Sequence, residues 1–241
     1  KVKNKMKKNV VIIGKGKWGN ILKKNLIKLS NVKAHISREY RTQNYKNIDW
    51  VFVATPNHTH EKIINHFKNF KLNVFCEKPL VESSELAKKI YKKYKKTSNK
   101  LYVSDLLCFK KKKIKLKKNN LIIRSKNANY GLRKILFNLA YHDFYFLFNI
   151  LKKEKYKIKL NYKKRDLKIE LICKNKIFLL KYDLKSKIKK HKFNNINMVK
   201  NDNPLMNMLL KLLNNRVNYK LNKDRSNFAI KLVEKIIQTN K

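Results

Sequence analysis

Glycine is scarce in this sequence. The chain has 241 residues and four glycines, and three of those four, Gly14, Gly16 and Gly19, lie within six positions. Glycine tolerates tight turns and close backbone approach better than any other residue. Its concentration in one short stretch therefore indicates a turn with a demanding backbone, and this turn organises the rest of the interpretation.

Cysteine is scarce as well. Cys76, Cys108 and Cys173 are odd in number and far apart, and each lies in an apolar, strand-like setting. The sequence has no C-x-x-C motif and no cysteine and histidine at metal-ligand spacing, which argues against a disulfide framework and a zinc site. We therefore expect reduced thiols in a cytoplasmic protein, and we expect no metal.

Long uninterrupted apolar runs are missing too. The longest mostly apolar segment, residues 135–151, contains Asn138, His142, Asp143 and Asn149, and these polar residues argue against a membrane span. The basic N-terminus is not followed by the apolar run that a signal peptide needs. The hydrophobic fraction of 43% is that of a globular protein. We expect no membrane partner.

Acidic residues and arginine are few. Asp and Glu number 15 against 62 Lys and Arg, of which seven are Arg, so the net charge is +47. So basic a chain would attract nucleic acid or other polyanions. Phosphate and base recognition favours arginine, however, and here the lysines accompany Asn and Ile throughout. We interpret the charge as a compositional bias that also attracts anionic substrates. A nucleic-acid binder remains the less favoured alternative, and no specific nucleic-acid partner is expected.

The glycine turn follows a short, continuously apolar segment, Val10–Ile13, and precedes a helical pattern. The three glycines, with Lys17 and Trp18 between the last two, have the spacing G-x-G-x-x-G. In a strand–turn–helix context the first glycine permits the turn, the second lets a pyrophosphate approach, and the third lets the helix pack closely. The helix N-terminus attracts phosphate. The stretch therefore predicts a dinucleotide site, and the alternative is a glycine-rich strand–helix turn with no ligand.

The end of the second predicted strand, residues 32–36, bears on the choice of cofactor. The residues that follow are Ser37, Arg38 and Glu39. In a dinucleotide-binding fold, an acidic residue here holds the ribose 2′-hydroxyl of NAD, whereas arginine accommodates the 2′-phosphate of NADP. A small hydroxyl followed by Arg38 favours NADP, whereas a loop shifted by one residue would let Glu39 bind NAD.

Two further strands end in polar residues. Residues 49–56 end at Thr55 and Pro56, and residues 73–79 end at Glu77, Lys78 and Pro79. Helical patterns follow at 61–70 and 83–96, with Thr59 and Ser83 predicted as N-caps, and a fifth strand is predicted at 101–109. Strand–helix alternation predicts a doubly wound parallel sheet, whose ligands lie at the carboxyl ends of the strands.

These motifs are similar to those of the oxidoreductase family named for glucose–fructose oxidoreductase, inositol dehydrogenase and MocA (Gfo/Idh/MocA). The sequence has G-x-G-x-x-G after a first strand, VATPNHTH after a third and EKP after a fourth. LFNLAYHDF resembles the family's D-x-x-x-H helix, and DRSNFAIKLVEKIIQ resembles its closing helix. The resemblance spans nearly the whole chain.

The resemblance implies roles for individual residues. Lys78 would hydrogen-bond the reacting hydroxyl of a sugar, and His142 would act as general acid and base or place the substrate. Asn138 stands where the family has Asp and would be a polar substrate contact. The Lys78–Pro79 bond would be cis. The residues implied to bind the cofactor are Gly14, Gly16, Lys17, Trp18, Gly19, Ser37, Arg38, Thr55, Pro56, Asn57, His60, Glu77 and Lys78.

The implied activity is hydride transfer between NADP or NAD and a sugar, sugar nucleotide or cyclitol. Because Asn138 cannot accept a proton, a non-catalytic dinucleotide-binding relative remains the alternative. We expect an α/β fold, with a Rossmann domain over 1–109 and a shortened α+β domain with a mostly antiparallel sheet over 110–241. A basic bridge (110–120), a helix at 132–151, and helices at 205–213 and 228–237 are predicted, the last capped by Asp224 and free to pack back on the first domain. The second sheet would pair subunits in a homo-oligomer.

Overall fold

The computed structural model describes residues 7–110, 114–199 and 203–240. Its internal contacts divide the chain into two compact units. The first unit consists of residues 1–109 and 205–227, and the second of residues 110–204 and 228–241. Residues 111–113, within the basic stretch that the sequence analysis treats as a bridge, lie outside the described residues.

Strands and helices alternate at first, and strands then dominate. The strands are β1 (Asn9–Ile13), β2 (Asn31–Ile36), β3 (Trp50–Val53), β4 (Asn73–Cys76), β5 (Leu101–Val103), β6 (Asn119–Ser125), β7 (Tyr156–Lys163), β8 (Asp166–Cys173), β9 (Ile177–Asp183), β10 (Lys190–Phe193) and β11 (Ile196–Asn197). The helices are α1 (Lys17–Leu29), α2 (His60–Phe67), α3 (Ser84–Lys95), α4 (Leu132–Ile135), α5 (Tyr141–Leu151), α6 (Pro204–Leu213) and α7 (Tyr219–Thr239). Short 3-10 turns cover Arg38–Arg41, Asn57–Thr59 and Leu106–Phe109, and a π-helical turn covers Leu136–Ala140.

The first unit is built on a parallel sheet with the strand order β2-β1-β3-β4-β5. Apart from Asn9 and Asn73, the first residues of β1 and β4, its central strands β1, β3 and β4 are apolar because both faces are covered. On one face, α1 and α6 pack on a core cluster that includes Val10, Phe52 and Met208. The predicted doubly wound parallel sheet is confirmed.

Residues 205–227 lie in the first unit, although the division by sequence assigned them to the second domain. The reason is apolar packing: Leu205, Met208 and Leu209 of α6 belong to the same core cluster as β1 and β3. The side chain of Asn222 in α7 pairs with the edge strand β5, donating to the Val103 carbonyl at 2.7 Å and accepting from the Val103 N–H at 2.9 Å.

Two predicted helix caps differ from the structure. The Thr59 side chain makes no capping bond to α2, because its hydroxyl is engaged with the Thr55 hydroxyl and the Pro56 carbonyl. Asp224 lies inside α7, which begins five residues earlier, so it caps nothing. The cap at Ser83 is confirmed, since its hydroxyl accepts from the Leu86 N–H at 3.3 Å.

The second unit contains a six-stranded sheet in the order β11-β10-β6-β9-β8-β7. Its neighbours are antiparallel except for the parallel pair β6 and β9. Along β7, exposed lysines such as Lys157 and Lys159 alternate with half-buried Ile158 and Leu160, which is the pattern of a sheet with one covered face. The α/β fold class with a second, mostly antiparallel sheet is confirmed.

The predicted helix at 132–151 contains a defect. Its ends agree with the structure, but α4 gives way to the π-helical turn Leu136–Ala140 before α5 begins. A π turn inserts an extra residue into the helix and often marks a functional site. Here it contains Asn138, one of the residues that the sequence singles out.

The three cysteines are free thiols. Cys76 and Cys173 are buried, whereas Cys108 is half-buried in the 3-10 turn that replaces the end of the predicted fifth strand. Burial raises the pKa of the Cys108 thiol to about 12, so it is protonated at neutral pH. Among the described residues, no helix has the length and apolar character needed to cross a membrane.

Candidate dinucleotide site

The strand ends of the first unit lie side by side. The Gly14 N–H donates to the Ile36 carbonyl at 2.8 Å, the Ala54 N–H to the Ile13 carbonyl at 2.8 Å, and the Glu77 N–H to the Val53 carbonyl at 2.9 Å. The sheet also reverses its winding between β1 and β3. Ligands of open α/β sheets bind at such a switch point, outside the carboxyl ends of the strands.

The glycine turn is held by close packing at two of its three glycines. Gly14 has a φ of +115°, and a Cβ there would lie 2.3 Å from the Ala54 carbonyl oxygen. A Cβ at Gly19 would lie 1.6 Å from the Gly14 carbonyl oxygen. Both positions therefore exclude any other residue, and α1 starts directly against the turn.

Gly16 behaves differently. It is exposed, and a Cβ built on it would meet no atom within 4 Å. Its lack of a side chain therefore relieves no internal clash, but it leaves open space beside the first turn of α1. That space is what a pyrophosphate needs in order to approach backbone N–H groups at a helix N-terminus.

Lys17 and Trp18 form the exposed start of α1. The Trp18 side chain is 42% exposed, whereas Trp50, the other tryptophan of the chain, is 3% exposed.

Sequence reasoning missed His35, a residue of β2. Its Nε2 is 2.9 Å from the Gly14 carbonyl oxygen, and this contact stabilises the glycine turn. A histidine within a strand gives no sequence signal of this role.

A cleft of about 670 Å³ opens at the ends of β2 and β3. It contains the predicted pairs Ser37–Arg38 and Thr55–Pro56 together, and it adds two cations that sequence reasoning missed, Arg41 and Lys62. The lining residues are Ser37, Arg38, Tyr40, Arg41, Thr55, Pro56, His58, Thr59, Lys62 and Ile63. The cleft therefore suits an anionic group.

Glu39 is bound to its own turn. Its Oε2 accepts from the Ser37 N–H at 2.7 Å. Hydrogen bonds from the backbone N–H groups of Glu39 and Ser37 lower the pKa of this exposed carboxyl. The acidic side chain that could have held the ribose of NAD is thus engaged with the backbone.

His60 is enclosed between two loops. Its side chain is 0% exposed, with Nδ1 2.8 Å from the Pro79 carbonyl oxygen and Nε2 2.9 Å from the Thr55 carbonyl oxygen. Burial lowers the pKa of His60, and the facing backbone carbonyls oppose that effect. Such a side chain contacts backbone on both edges, so it acts on its surroundings through Thr55 and Pro79.

Lys78 follows β4 and is half-buried, and the Lys78–Pro79 peptide bond is cis. The preceding Glu77 is 8% exposed, and its Oε2 accepts from the Lys78 N–H at 3.3 Å. Burial raises the pKa of Glu77, and Lys78 opposes that shift. The other carboxylate oxygen of Glu77, Oε1, is buried with no hydrogen-bond partner among the described residues. A cofactor hydroxyl donating to this oxygen would satisfy it.

Asn57, at the start of the 3-10 turn after β3, donates from Nδ2 to Glu82 Oε1 at 3.1 Å. The contact ties the turn after β3 to the segment after β4. In the first unit the structure thus brings together Thr55, Pro56, Asn57 and His60 with the loop that carries Lys78.

Asn138 and His142 belong to the second unit, and both are half-buried. The neighbouring Asp143 joins α5 to the sheet: it accepts two bonds from Arg124, at 2.8 and 2.9 Å, one from the Tyr182 hydroxyl at 3.0 Å, and one from His191 at 3.1 Å. Burial alone would raise the pKa of Asp143, but Arg124 and His191 hold it well below its usual range. This network fixes the rotation of the helix that carries His142.

No described part of the chain gathers three or more His, Cys, Asp or Glu side chains in a way that could hold a metal ion. The polar groups described at the strand ends are instead backbone N–H groups, the buried Oε1 of Glu77 and the cationic side chains that line the cleft. These are groups that bind phosphates and ribose hydroxyls.

Residues 30–105 match a family model, Gfo/Idh/MocA, described as an oxidoreductase family with an NAD-binding Rossmann fold. The match covers about a third of the chain. The family resemblance noted from the sequence motifs is thereby confirmed. The matched segment includes Thr55 and Lys78, whereas the glycine turn and His142 lie outside it. Comparison with curated proteins gives no match.

Solved structures share the fold of the whole chain at low sequence identity. The chain resembles UDP-N-acetylglucosamine 3-dehydrogenase GnnA from Acidithiobacillus ferrooxidans (TM-score 0.79, 10% identity, 96% of this chain and 97% of that one). It also resembles myo-inositol dehydrogenase from Lactobacillus casei, solved with NAD(H) and myo-inositol (TM-score 0.77, 14% identity, 98% of this chain and 95% of that one). An NAD-binding protein from Listeria innocua is similar as well (0.73, 15%, 97% and 94%). At these identities the likeness establishes the fold.

Proposed function

We propose that this protein is a Gfo/Idh/MocA-type oxidoreductase, an NADP-dependent dehydrogenase or reductase that acts on a CH–OH group of a sugar, sugar nucleotide or cyclitol. The observation that carries the proposal is the row of strand ends at one edge of the parallel sheet. The open space beside Gly16 follows β1 and the side chain of Lys78 follows β4, the two strands that flank β3. The substrates named for two structures of the same fold support the substrate class.

The residues of the first unit fit a dinucleotide. The turn around Gly16 and the first N–H groups of α1 would hold the pyrophosphate, and the buried Glu77 Oε1 would accept from a hydroxyl. When bound, the nicotinamide ring accepts or donates a hydride. Arg38, Arg41 and Lys62 surround the cleft at the ends of β2 and β3, and this concentration of positive charge favours the 2′-phosphate of NADP over a bare ribose.

Lys78 is the proposed catalytic residue of the first unit. Oxidation of an alcohol requires a group that removes the hydroxyl proton as the hydride departs, and a half-buried amine beside a Rossmann strand end suits that task. His142 is proposed as a second proton-transfer residue and Asn138 as a substrate contact, both on the family resemblance. The net charge of +47 favours a phosphorylated or nucleotide-linked substrate.

The Lys78→Ala variant tests the proposed chemistry. We expect NADPH to bind with unchanged affinity and to raise the melting temperature of the variant and of the wild type, while kcat falls about 10²- to 10⁴-fold. Turnover is measured with a panel of sugars, sugar nucleotides and cyclitols, and Lys71→Ala, an exposed lysine before β4, serves as control. A wild type without NADPH or NADH binding would refute the proposed function, and full activity in Lys78→Ala would remove Lys78 from it.

Asn138 favours a second candidate, a dinucleotide-binding protein without turnover. Asn138 occupies the π-helical turn at the position where the family motif has Asp, and an amide cannot accept a proton. The wild type would then bind NADPH but reduce or oxidise nothing in the substrate panel. Gain of turnover in Asn138→Asp would identify this residue as the cause, whereas turnover by the wild type rules the candidate out.

A further inference from the structure

His60 occupies an unusual position at the strand ends. It is the first residue of α2, yet its side chain is completely buried and points at two backbone carbonyl groups. One belongs to Thr55, in the turn that follows β3, and the other to Pro79, the residue after Lys78. The imidazole ring therefore spans the gap between the turn that borders the cleft and the loop that carries the proposed catalytic lysine.

The chemistry of this arrangement is restrictive. A carbonyl oxygen can only accept a hydrogen bond, and a neutral imidazole has one N–H. A neutral His60 donates to one carbonyl and presents a lone pair to the other, whereas a protonated ring donates to both. Burial lowers the pKa of His60, and the nearby His58 acts in the same direction, whereas the Pro79 and Thr55 carbonyls raise it. The ring fills the gap between these two carbonyls, with one nitrogen 2.8 Å from the first and the other 2.9 Å from the second.

The backbone ladder ends just before this point. The last ladder bond between the two loops runs from the Glu77 N–H to the Val53 carbonyl, and β4 itself ends at Cys76. Beyond this last ladder bond, the His60 ring lies between the two loops. Its nitrogens are at hydrogen-bond distance from the Pro79 carbonyl in the loop after β4 and from the Thr55 carbonyl in the turn after β3. The Thr59 hydroxyl strengthens the Thr55 side through its 2.7 Å contact with the Thr55 hydroxyl.

We infer that His60 is a positioning residue, which sets the placement of Lys78 relative to the Thr55–Pro56 turn by bridging the Thr55 and Pro79 carbonyls. The inference rests on the proposed function of Lys78. In this role His60 never touches the substrate. It acts through the backbone on either side, so its loss changes the geometry of proton transfer more than the affinity for the cofactor.

Three variants separate positioning from simple support of the fold. His60→Phe keeps an aromatic ring but removes both nitrogens, and His60→Gln keeps one donor. His66→Phe is the matched control, because His66 lies on the same helix in contact with the rings of Tyr40 and Phe67. We expect kcat to fall about 10²-fold in His60→Phe, as small misplacements of reacting groups do, and to fall less in His60→Gln.

Two further readouts complete the experiment. The Kd of NADPH should change less than about threefold. The rate of acetylation of Lys78 by acetic anhydride, followed by mass spectrometry as a function of pH, should change in His60→Phe and stay at the wild-type profile in His66→Phe. Melting temperatures of all variants show how much of any loss is shared destabilisation.

The outcomes distinguish the inference from the proposed function. An active wild type with unchanged kcat in His60→Phe overturns the inference, and so do losses of kcat in His60→Phe and His66→Phe that both follow the melting temperature. If the wild type has no turnover at all, the proposed function fails. The acetylation of Lys78 is then the only test of the positioning role of His60. An unaltered Lys78 profile in His60→Phe then rejects the positioning role, and an altered profile supports it.

Discussion

Arg38 and Glu39 are neighbours in the chain, but their side chains have different environments. Arg38 lines the cleft at the ends of β2 and β3, whereas the Glu39 carboxylate is bound by the N–H of Ser37. The position after the second strand predicts Arg38 from sequence. Arg41 and Lys62 escape prediction because a 3-10 turn and a separate helix bring them to the same cleft, and neither element leaves a motif.

Arg38→Ala should raise the Kd of NADPH about 10- to 100-fold, because a charge-assisted bond to phosphate is worth about 1.5–3 kcal/mol. The Kd of NADH should stay within about threefold, since it lacks the 2′-phosphate. Energy transfer from the exposed Trp18 to the reduced nicotinamide provides the titration signal, with buried Trp50 as the remaining emitter.

Glu39→Ala is the matched control for the cofactor preference. Its carboxylate is engaged with the backbone of its own turn, so its removal should leave the Kd of NADH unchanged. If Glu39→Ala weakens NADH binding more than Arg38→Ala weakens NADPH binding, the site is an NAD site and the preference proposed above is wrong.

At the scale of elements, the sequence predicts the middle of each strand better than its end. The central strands β1, β3 and β4 are apolar beyond Asn9 and Asn73, the first residues of β1 and β4, because both faces are buried. That signal is visible in the sequence. The end of β5 is not visible in the sequence, because it depends on the groups that pair with the strand. β5 stops at Val103, where its neighbour β4 has ended and Asn222 takes up the opposite edge.

The closing helix illustrates the same limit. The sequence predicts a helix over 228–237, whereas α7 spans Tyr219–Thr239. The polar residues of its first half, including buried Asn222 and Ser226, look like a loop in the sequence. Asn222 pairs with the distant backbone of Val103, and such a pairing leaves no local pattern.

Asn222→Leu should destabilise the protein by about 1–3 kcal/mol, because the Val103 N–H and carbonyl would lose their partners in a buried setting. Urea unfolding measures the change, and Lys220→Ala, an exposed position two residues before Asn222 in the same helix, should stay within about 0.5 kcal/mol of wild type. Equal stability of the two variants would show that the edge pairing contributes nothing.

The anchoring of α5 by Asp143 gives a prediction that depends on pH. Because the folded-state pKa of Asp143 is held below its ordinary value, its contribution is fully present above the ordinary pKa, near 3.9, and is lost as the pH falls through the folded value. Asp143→Asn should therefore cost about 3–5 kcal/mol at pH 7, with a smaller difference from wild type at acidic pH.

Urea unfolding of Asp143→Asn and wild type from pH 7 down to about pH 2 checks this direction, because the loss falls below the ordinary pKa of the carboxyl. Asp183→Asn, at the half-buried end of β9, is the control. A difference between Asp143→Asn and wild type that grows toward acid would contradict the assignment of Arg124 and His191 as the groups that keep Asp143 ionised.

At the scale of the whole molecule, charge dominates. Lys and Arg exceed Asp and Glu by 62 to 15, and exposed lysines such as Lys157, Lys159 and Lys163 follow one another along β7. Two expectations from the sequence stay predictions at this scale: pairing of subunits through the second sheet, which light scattering checks, and the lack of specific nucleic-acid binding. A sequence-dependent affinity for nucleic acid with a steep salt dependence would contradict the latter.

Long-range charge and the local cations of the cleft make separable contributions to binding of an anionic cofactor. A net charge of +47 attracts NADPH from a distance, and this attraction is screened once the Debye length falls to about 10 Å near 0.1 M salt. The association rate constant should therefore fall about tenfold or more between low salt and 0.2 M salt, while the dissociation rate changes little.

Arg38→Ala supplies the comparison in the same stopped-flow measurement, because it removes one of the many charges and one direct contact of the cleft. Its association rate should keep the salt dependence of the wild type, and its dissociation should be faster at every salt concentration. A wild-type association rate that is insensitive to salt would mean that the lysine-rich surface plays no part in cofactor capture, whatever Arg38 contributes once the cofactor is bound.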